Sequence, residues 1–134
     1  MANSDNVLRG GLTPKHVDVP ELLRVLDFTP AEDIFVTPES HRDGAEIIYP
    51  TPAPEFSVSV LGIGSDQVGH EIDATARRDG PQILLCTEGA ATVRAKADSV
   101  VLKKGAAAWV SADDGPIRLV ADEPFRMFRV TVGI

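Results

Sequence analysis

The second half of the chain alternates between apolar and polar residues in short runs, and this pattern predicts β-strands. In the clearest run, from Phe56 to Leu61, apolar residues recur at every second position, as in a strand with one buried face. Shorter runs follow, separated by turns that contain Gly or Pro. They predict strands from Gln82 to Thr87, Ala91 to Lys96, Val100 to Leu102, Ala107 to Val110, Ile117 to Val120 and Phe125 to Val132.

Six or seven short strands at this spacing predict a mostly β fold, either a sandwich, a jelly roll or a small barrel. Between the second and third strands, Glu88-Gly89-Ala90 is typical of a hairpin turn. The pair of glycines in Gly62-Ile63-Gly64 lacks the third glycine and the following helix of a dinucleotide-binding motif, so a turn is predicted there as well.

A helix is predicted near residues 19–27, ahead of the strands. Asp18 can cap its start, with Pro20 in the first turn and Glu21 three residues after the cap. Leu22, Leu23 and Leu26 form its apolar face, and Thr29-Pro30 should end it, because a residue before proline disfavours the helical region.

These patterns divide the chain into three zones. Residues 1–30 hold an extended segment and the helix, and residues 31–54 form a connection rich in proline. Within that connection Ile47-Ile48-Tyr49 predicts one short edge strand. Residues 55–134 form the β-domain. A length of 134 residues fits one domain with its own core.

The composition limits the classes of molecule that the chain is expected to bind. The formal net charge of −7 argues against binding to nucleic acid or to anionic membranes, whereas a local cluster of cations can still bind an anionic small molecule. The single cysteine, Cys86, lies in an apolar run and is predicted to be a buried, inert thiol, and no leader or membrane-spanning run is visible. Cytoplasm is the simplest location. The sequence does not exclude a homo-oligomer.

The histidines give no metal signal. His16, His41 and His70 are isolated, without the paired spacing of a zinc site. The one dense polar cluster is the N-terminal stretch SDNVLRGGLTPK, which holds Asp5, Arg9 and Lys15 within eleven residues. From charge alone, a solvated terminal strand with a surface ion pair is the favoured explanation.

The same stretch, Ser4 to Lys15, closely resembles the SDNV-[LV]-RAG-[LF]-TPK signature of type I mannose-6-phosphate isomerases, also called phosphomannose isomerases. Gly10 stands where that family usually has alanine. The segments from Asp18 to Leu23, from Gly80 to Gly89 and from Phe128 to Val132 are similar to the family's following helix and C-terminal β-domain, and residues 31–54 match least.

The resemblance implies a cupin-type jelly roll and the interconversion of mannose 6-phosphate and fructose 6-phosphate at a zinc site. Proton transfer between C1 and C2 passes through an enediol, while the metal polarises the substrate oxygens. By the same resemblance Arg9 is the catalytic cation, Lys15 faces the anionic sugar phosphate, and Asp5 orients Arg9 or the sugar.

The family's zinc ligands, a Gln, two His and a Glu, all lie upstream of this motif, and His16, His41 and His70 match none of them. We therefore expect the chain to bind no zinc at the family geometry, to be inactive alone, and to leave Arg9 mobile or exposed. It is interpreted as a C-terminal portion of an isomerase, either a fragment or mis-started product or a natural remnant. The alternative is a stand-alone, non-catalytic cupin domain that binds a sugar or a protein partner.

Overall fold

The structure, a computed structural model, describes residues 9–30, 35–41, 45–76, 80–96 and 98–133. The chain divides into two compact units, Met1–Phe35 and Val36–Ile134. Within the described ranges no helix has the length and apolar character needed to cross a bilayer.

The N-terminal unit contains the predicted helix, α1 (Val19–Val25). Asp18 caps it as predicted: its carboxylate accepts a hydrogen bond of 3.0 Å from the backbone N–H of Glu21, and Pro20 occupies the first turn, where a missing N–H costs nothing.

The predicted end of this helix is wrong. The helix stops at Val25, and Leu26 is already extended. The Asp27 carboxylate then accepts a 2.8 Å hydrogen bond from the backbone N–H of Thr29. A short side chain that hydrogen-bonds to the nearby backbone competes with the hydrogen bonds of the helix, so the helix ends before it reaches Pro30.

The C-terminal unit consists of two antiparallel sheets. The larger sheet has six strands in the order β1-β2-β3-β10-β5-β8 and the smaller has four in the order β4-β9-β6-β7. The strands are β1 (Glu39–His41), β2 (Glu46–Tyr49), β3 (Phe56–Ile63), β4 (Glu71–Asp73), β5 (Gln82–Glu88), β6 (Ala90–Arg94), β7 (Ser99–Lys103), β8 (Ala107–Val110), β9 (Arg118–Ala121) and β10 (Phe125–Val132).

The core of this unit lies between the two sheets. Leu61, Leu84 and Met127 from the larger sheet are fully buried in one cluster with Leu119 and Val93 from the smaller sheet. Each of these residues alternates with a neighbour that points away from the cluster, which is the pattern of a β-sandwich. The prediction of a mostly β fold built from two packed sheets is confirmed.

Two details differ from the prediction for the middle of the chain. Ile47, Ile48 and Tyr49 do form a strand, β2, but it is not the edge strand, because β1 pairs with its outer side. The strand β1 reads Glu39-Ser40-His41 and has no apolar residue, so hydrophobic periodicity does not detect it. As a result, the compact unit begins at Val36 rather than at Glu55.

The predicted hairpin at Glu88-Gly89-Ala90 is also wrong. Strand β5 pairs with β10 and β8, whereas β6 pairs with β7 and β9, so the chain crosses from one sheet to the other at Gly89. Gly89 has a φ of 64°, and a Cβ there would lie 1.8 Å from the carbonyl oxygen of Pro124. The sharp crossing therefore requires glycine at this position. In the sequence, this glycine looks the same as the glycine of a hairpin turn.

The segment Gly62-Ile63-Gly64 is likewise not a turn. Gly62 and Ile63 lie in β3, where Gly62 pairs with Arg126 of β10. A Cβ on Gly62 would lie 2.7 Å from the carbonyl oxygen of Phe125. Glycine serves here to let two strands approach closely.

One charged pair is buried on the inner face of the larger sheet. Arg129 of β10 and Glu46 of β2 are 3 % and 1 % exposed, and the guanidinium Nη2 donates to the Glu46 carboxylate. The same guanidinium donates to the Ser59 hydroxyl at 3.2 Å and to the carbonyl oxygen of Ala74 at 2.8 Å. Ala74 directly follows β4, so one side chain connects three strands of the larger sheet to the smaller sheet.

We expect Glu46→Ala to destabilise the chain by about 3–5 kcal/mol, because it removes the carboxylate to which the buried Arg129 guanidinium donates. The free energy of unfolding in urea measures this effect. The control is Glu88→Ala, which removes the partner of Arg126 in an ion pair whose side chains are both more than half exposed, and it should cost less than ~1 kcal/mol. Equal losses for the two variants would contradict the assignment of the buried pair.

Candidate functional site

The N-terminal cluster places one of its three candidate residues in a partly buried position. Arg9 is half-buried and has an interaction partner. Lys15 is exposed, and Asp5 lies outside the described residues. Arg9 is therefore not among the fully exposed residues. The roles proposed for the three residues remain predictions.

The described part of the motif bends instead of continuing as a strand. Gly11 has a φ of 150° and Leu12 a φ of 51°, an uncommon left-handed value for a residue with a side chain. The Thr13 hydroxyl accepts a 3.2 Å hydrogen bond from the backbone N–H of Lys15. These local features turn the chain between Arg9 and Lys15, so the two cations do not follow the simple alternation of an extended segment.

Gly10 stands where the motif usually has alanine, and the structure accommodates either residue. Its backbone is outside the left-handed region, and a Cβ built on it would meet the Leu22 Cδ2 atom at 3.9 Å, an ordinary van der Waals distance. An alanine would fit at this position. The small residue of the motif thus packs against α1 within the same unit.

The described residues do not fit a zinc ion. Among them, no group of three or more His, Cys, Asp or Glu side chains could hold a metal. His16 and His70 are exposed, whereas His41 ends β1 with its Nε2 atom 3.6 Å from the Glu39 carboxylate. Each histidine thus lies apart from any set of ligands that a tetrahedral site requires.

Cys86 does not form a nucleophilic site either. Its side chain is fully buried in the core of the C-terminal unit, and its Sγ atom lies 3.3 Å from the carbonyl oxygen of Glu88. Burial raises the pKa of the Cys86 thiol, and a thiol that stays protonated is neither a nucleophile nor a metal ligand. The prediction that this thiol is buried is confirmed.

A cleft of about 380 Å³ lies beside β2, β3 and the start of β10. Its charged side chains are Arg126 and Glu88, which form an ion pair of 3.0 Å, and Gln67 adds an amide. The guanidinium already has its counter-ion, so the cleft presents no net charge to a ligand. No acid–base pair for catalysis is assembled there.

Sequence reasoning missed the buried Glu46–Arg129 pair and the cleft. Glu46 precedes Ile47 in the connection that is rich in proline. Arg129 is one of two arginines in β10, and its side chain lies on the opposite face of the sheet from those of its neighbours in sequence. A charged residue at an inward position of a predicted strand was the available signal, because such residues are almost never fully buried unless paired.

Curated proteins with similar sequences share one name. The chain is 39 % identical over 121 residues to the mannose-6-phosphate isomerase of Salmonella typhimurium and 38 % identical over 119 residues to that of Escherichia coli. In both cases the match covers 87 % of this chain and 28 % of the relative. The chain therefore spans less than a third of the length of these relatives. No family model matches the chain.

Solved structures give the same result. The mannose-6-phosphate isomerase of Salmonella typhimurium, bound to its substrate fructose 6-phosphate and to zinc, matches 100 % of this chain with a TM-score of 0.77 and 35 % sequence identity. A zinc-bound mannose-6-phosphate isomerase matches 97 % of it with a TM-score of 0.75. The chain covers 32 % and 31 % of those two structures.

The two-sheet fold and these matches define a cupin-type jelly roll from a sugar-phosphate isomerase. The chain belongs to the mannose-6-phosphate isomerase family and corresponds to a C-terminal portion of it.

We expect Gly10→Ala to leave stability unchanged or to raise it by ~0.4–1 kcal/mol, because alanine restricts the unfolded chain at a position where its Cβ fits. Gly89→Ala is the matched control and should destabilise the chain, since its Cβ would overlap the Pro124 carbonyl. Thermal unfolding of both variants measures the difference. A loss of stability in Gly10→Ala would contradict the packing of the motif described above.

We also expect the purified chain to retain less than one zinc per molecule after dialysis, since its described residues offer no set of three ligands. Elemental analysis after incubation with zinc tests this, with His70→Ala as the comparison. One tightly held zinc that disappears in His70→Ala would overturn the prediction.

Proposed function

We propose that this chain forms the C-terminal portion of a mannose-6-phosphate isomerase, which interconverts mannose 6-phosphate and fructose 6-phosphate. The observation that carries the proposal is the match of fold and sequence over nearly the whole chain to isomerases of that name. The substrate is then a phosphorylated sugar, and the fructose 6-phosphate bound by the Salmonella enzyme supports that class. The cytoplasm is the proposed location.

The reaction moves a hydrogen between C1 and C2 of an open-chain sugar phosphate through an enediol. Negative charge develops on the substrate oxygens during proton removal, and a fixed cation aimed at that charge lowers the barrier. We assign this role to Arg9, whose guanidinium is permanently charged and offers several donors in a rigid fork. Its half-buried position favours the role, because charge interactions are stronger away from bulk water.

Lys15 is assigned to the anionic substrate. A flexible ammonium group acts as a mobile point charge, and its exposure leaves it accessible to a phosphate. Asp5 is assigned to orient Arg9 or a sugar hydroxyl. The described residues form no zinc site, so the zinc of the family would be held outside them.

A second function, non-catalytic binding of a sugar or of a protein by a stand-alone cupin domain, is favoured by one observation: the described residues assemble no metal site of their own. Assay of mannose 6-phosphate isomerisation with added zinc separates the two functions. Turnover by a full-length isomerase that contains this chain supports catalysis, and sugar binding by the chain without any such turnover supports the second function.

We expect Arg9→Ala to lower kcat by about 10²–10³, or ~3–4 kcal/mol, with little change in stability, because a donor aimed at developing charge acts in the transition state. The protein for this test is a full-length chimera, the Escherichia coli isomerase with its matching 119-residue stretch replaced by this chain. The isolated chain should show no turnover with either arginine or alanine at this position.

The matched control is Arg24→Ala. Arg24 is exposed on α1 and pairs with Glu21 of the same helix, so its loss should leave kcat unchanged. A catalytic efficiency of Arg9→Ala within about twofold of the parent chimera would show that Arg9 has no such role, since a cation placed at the reaction is worth far more.

A further inference from the structure

Leu12 has an unfavourable backbone conformation that its own side chain does not compensate. Its φ of 51° lies in the left-handed region, and it is the one residue other than glycine with a positive φ in the part of the chain that the structure describes. Leucine lacks the short polar side chain with which Asn and Asp hydrogen-bond locally in that region, so the conformation costs free energy. The Leu12 side chain is fully exposed and therefore recovers none of this cost by burial.

The neighbours of Leu12 take part in the same bend. Gly11, directly before it, has a φ of 150°, which residues with a side chain rarely adopt. After it, the Thr13 hydroxyl accepts a 3.2 Å hydrogen bond from the backbone N–H of Lys15. An unfavourable conformation persists where the surrounding structure determines it, and residues of this kind concentrate at active sites and ligand-binding segments. The conformation of Leu12 therefore points to a role in the segment that it bends.

The bend changes the distance between the two cations of the segment. Arg9 and Lys15 are six residues apart, and a fully extended segment of that length separates its terminal Cα atoms by ~20 Å. The carbon chain of a six-carbon sugar phosphate is much shorter than this. A left-handed residue between the two cations turns the chain and shortens their separation, which brings it closer to the length of one such molecule.

We propose that Leu12 is a positioning residue for the isomerisation. Its left-handed backbone conformation sets the separation of Arg9 from Lys15, so that one cation reaches the reacting carbons while the other holds the phosphate of the same sugar. The inference rests on the proposed function, because it uses the roles assigned there to Arg9 and Lys15. Leu12 acts through the backbone and is not itself a catalytic residue.

The competing role for Leu12 is an apolar contact made by its side chain. Single exposed apolar side chains are ordinary on protein surfaces and need no special explanation, whereas a leucine in the left-handed region is uncommon. The observations therefore favour the backbone. The two roles also predict opposite effects of substitution, because the conformation requires a residue that tolerates a positive φ and the contact requires an apolar residue.

Two substitutions separate these roles in the full-length chimera described above. Leu12→Asn removes the apolar side chain and keeps the left-handed conformation, which asparagine tolerates. Leu12→Val keeps an apolar side chain, but a β-branched residue strongly disfavours that conformation. We expect Leu12→Val to lower kcat/KM by about 10–100-fold and Leu12→Asn by less than about threefold, because a small misplacement of a catalytic group is costly. Equal effects, or a larger loss in Leu12→Asn, overturn the proposal.

The matched control is Leu26→Val. Leu26 is partly exposed, and its backbone is already extended, which suits a β-branched residue. This variant should leave kcat/KM unchanged, and the melting temperatures of the parent, Leu12→Val and Leu26→Val chimeras should agree. A loss of activity in Leu12→Val that Leu26→Val reproduces, or that follows a lower melting temperature, shows a general effect on folding and overturns the proposal.

A double-mutant cycle tests whether Leu12 acts through Lys15. Once Lys15→Ala has removed the ammonium group, its separation from Arg9 no longer matters. Leu12→Val should then lower kcat/KM by less than about threefold, against about 10–100-fold with Lys15 present, because residues that act together are not additive. A residue with a structural role alone would give additive effects. Additive effects therefore overturn the proposal.

Nuclear magnetic resonance tests the conformation in the isolated chain. A residue in the left-handed region holds its own amide and Cα protons unusually close together, so Leu12 should give a strong nuclear Overhauser cross-peak between them. The cross-peak should stay strong in Leu12→Asn and become weak in Leu12→Val. A weak cross-peak for Leu12 itself overturns the proposal.

Failure of the positioning role and failure of the proposed function are distinguishable. An active chimera in which Leu12→Asn and Leu12→Val are equal contradicts the positioning role alone. A chimera without turnover contradicts the proposed function, and the two variants are then compared by their affinity for fructose 6-phosphate. Weaker binding by Leu12→Val than by Leu12→Asn still supports the positioning role, and equal affinities overturn it.

Discussion

The C-terminal unit depends on the buried pair between Arg129 and Glu46. One guanidinium donates to a carboxylate on β2, a hydroxyl on β3 and a carbonyl oxygen that follows β4. A slip of β10 by one residue would move Arg129 to the opposite face of the sheet and break its hydrogen bond to the buried Glu46 carboxylate. Because the slipped state is unfavourable, the buried pair restricts the sheet to one register. The apolar core alone would distinguish less sharply between one register and another.

That constraint also determines the character of the two faces of the larger sheet. With Arg129 and Glu46 held inside, their neighbours along β10 and β2 point outward, and those neighbours are Phe128, Val130 and Ile47. The inner face therefore carries the charged pair and the outer face carries exposed apolar residues. The core of the unit lies between the sheets, so the apolar side chains on the outer side of the larger sheet are partly exposed.

The candidate site could be recognised only through a motif. Asp5, Arg9 and Lys15 have no spacing that chemistry alone would select, since a charged terminal segment and a substrate-binding segment have the same composition. Gly10 illustrates what the structure adds, because a Cβ at this position would lie at an ordinary van der Waals distance from Leu22, so alanine fits as well as glycine. The half-buried position of Arg9 was not predictable either, since burial depends on how the bent segment from Gly11 to Lys15 returns toward the rest of its unit.

The sequence by itself determined the fold class, the cap of α1 at Asp18, most of the strands and the burial of Cys86. These features follow from local periodicity and from side-chain chemistry that acts within a few residues. Tertiary structure alone decided the pairing of β1 with β2, the crossing at Gly89, and the burial of Glu46 with Arg129. The last case shows the reason most clearly, because the Arg129 and Glu46 side chains are 83 residues apart in sequence. Local patterns carry no information about which distant strand will supply the second half of a contact.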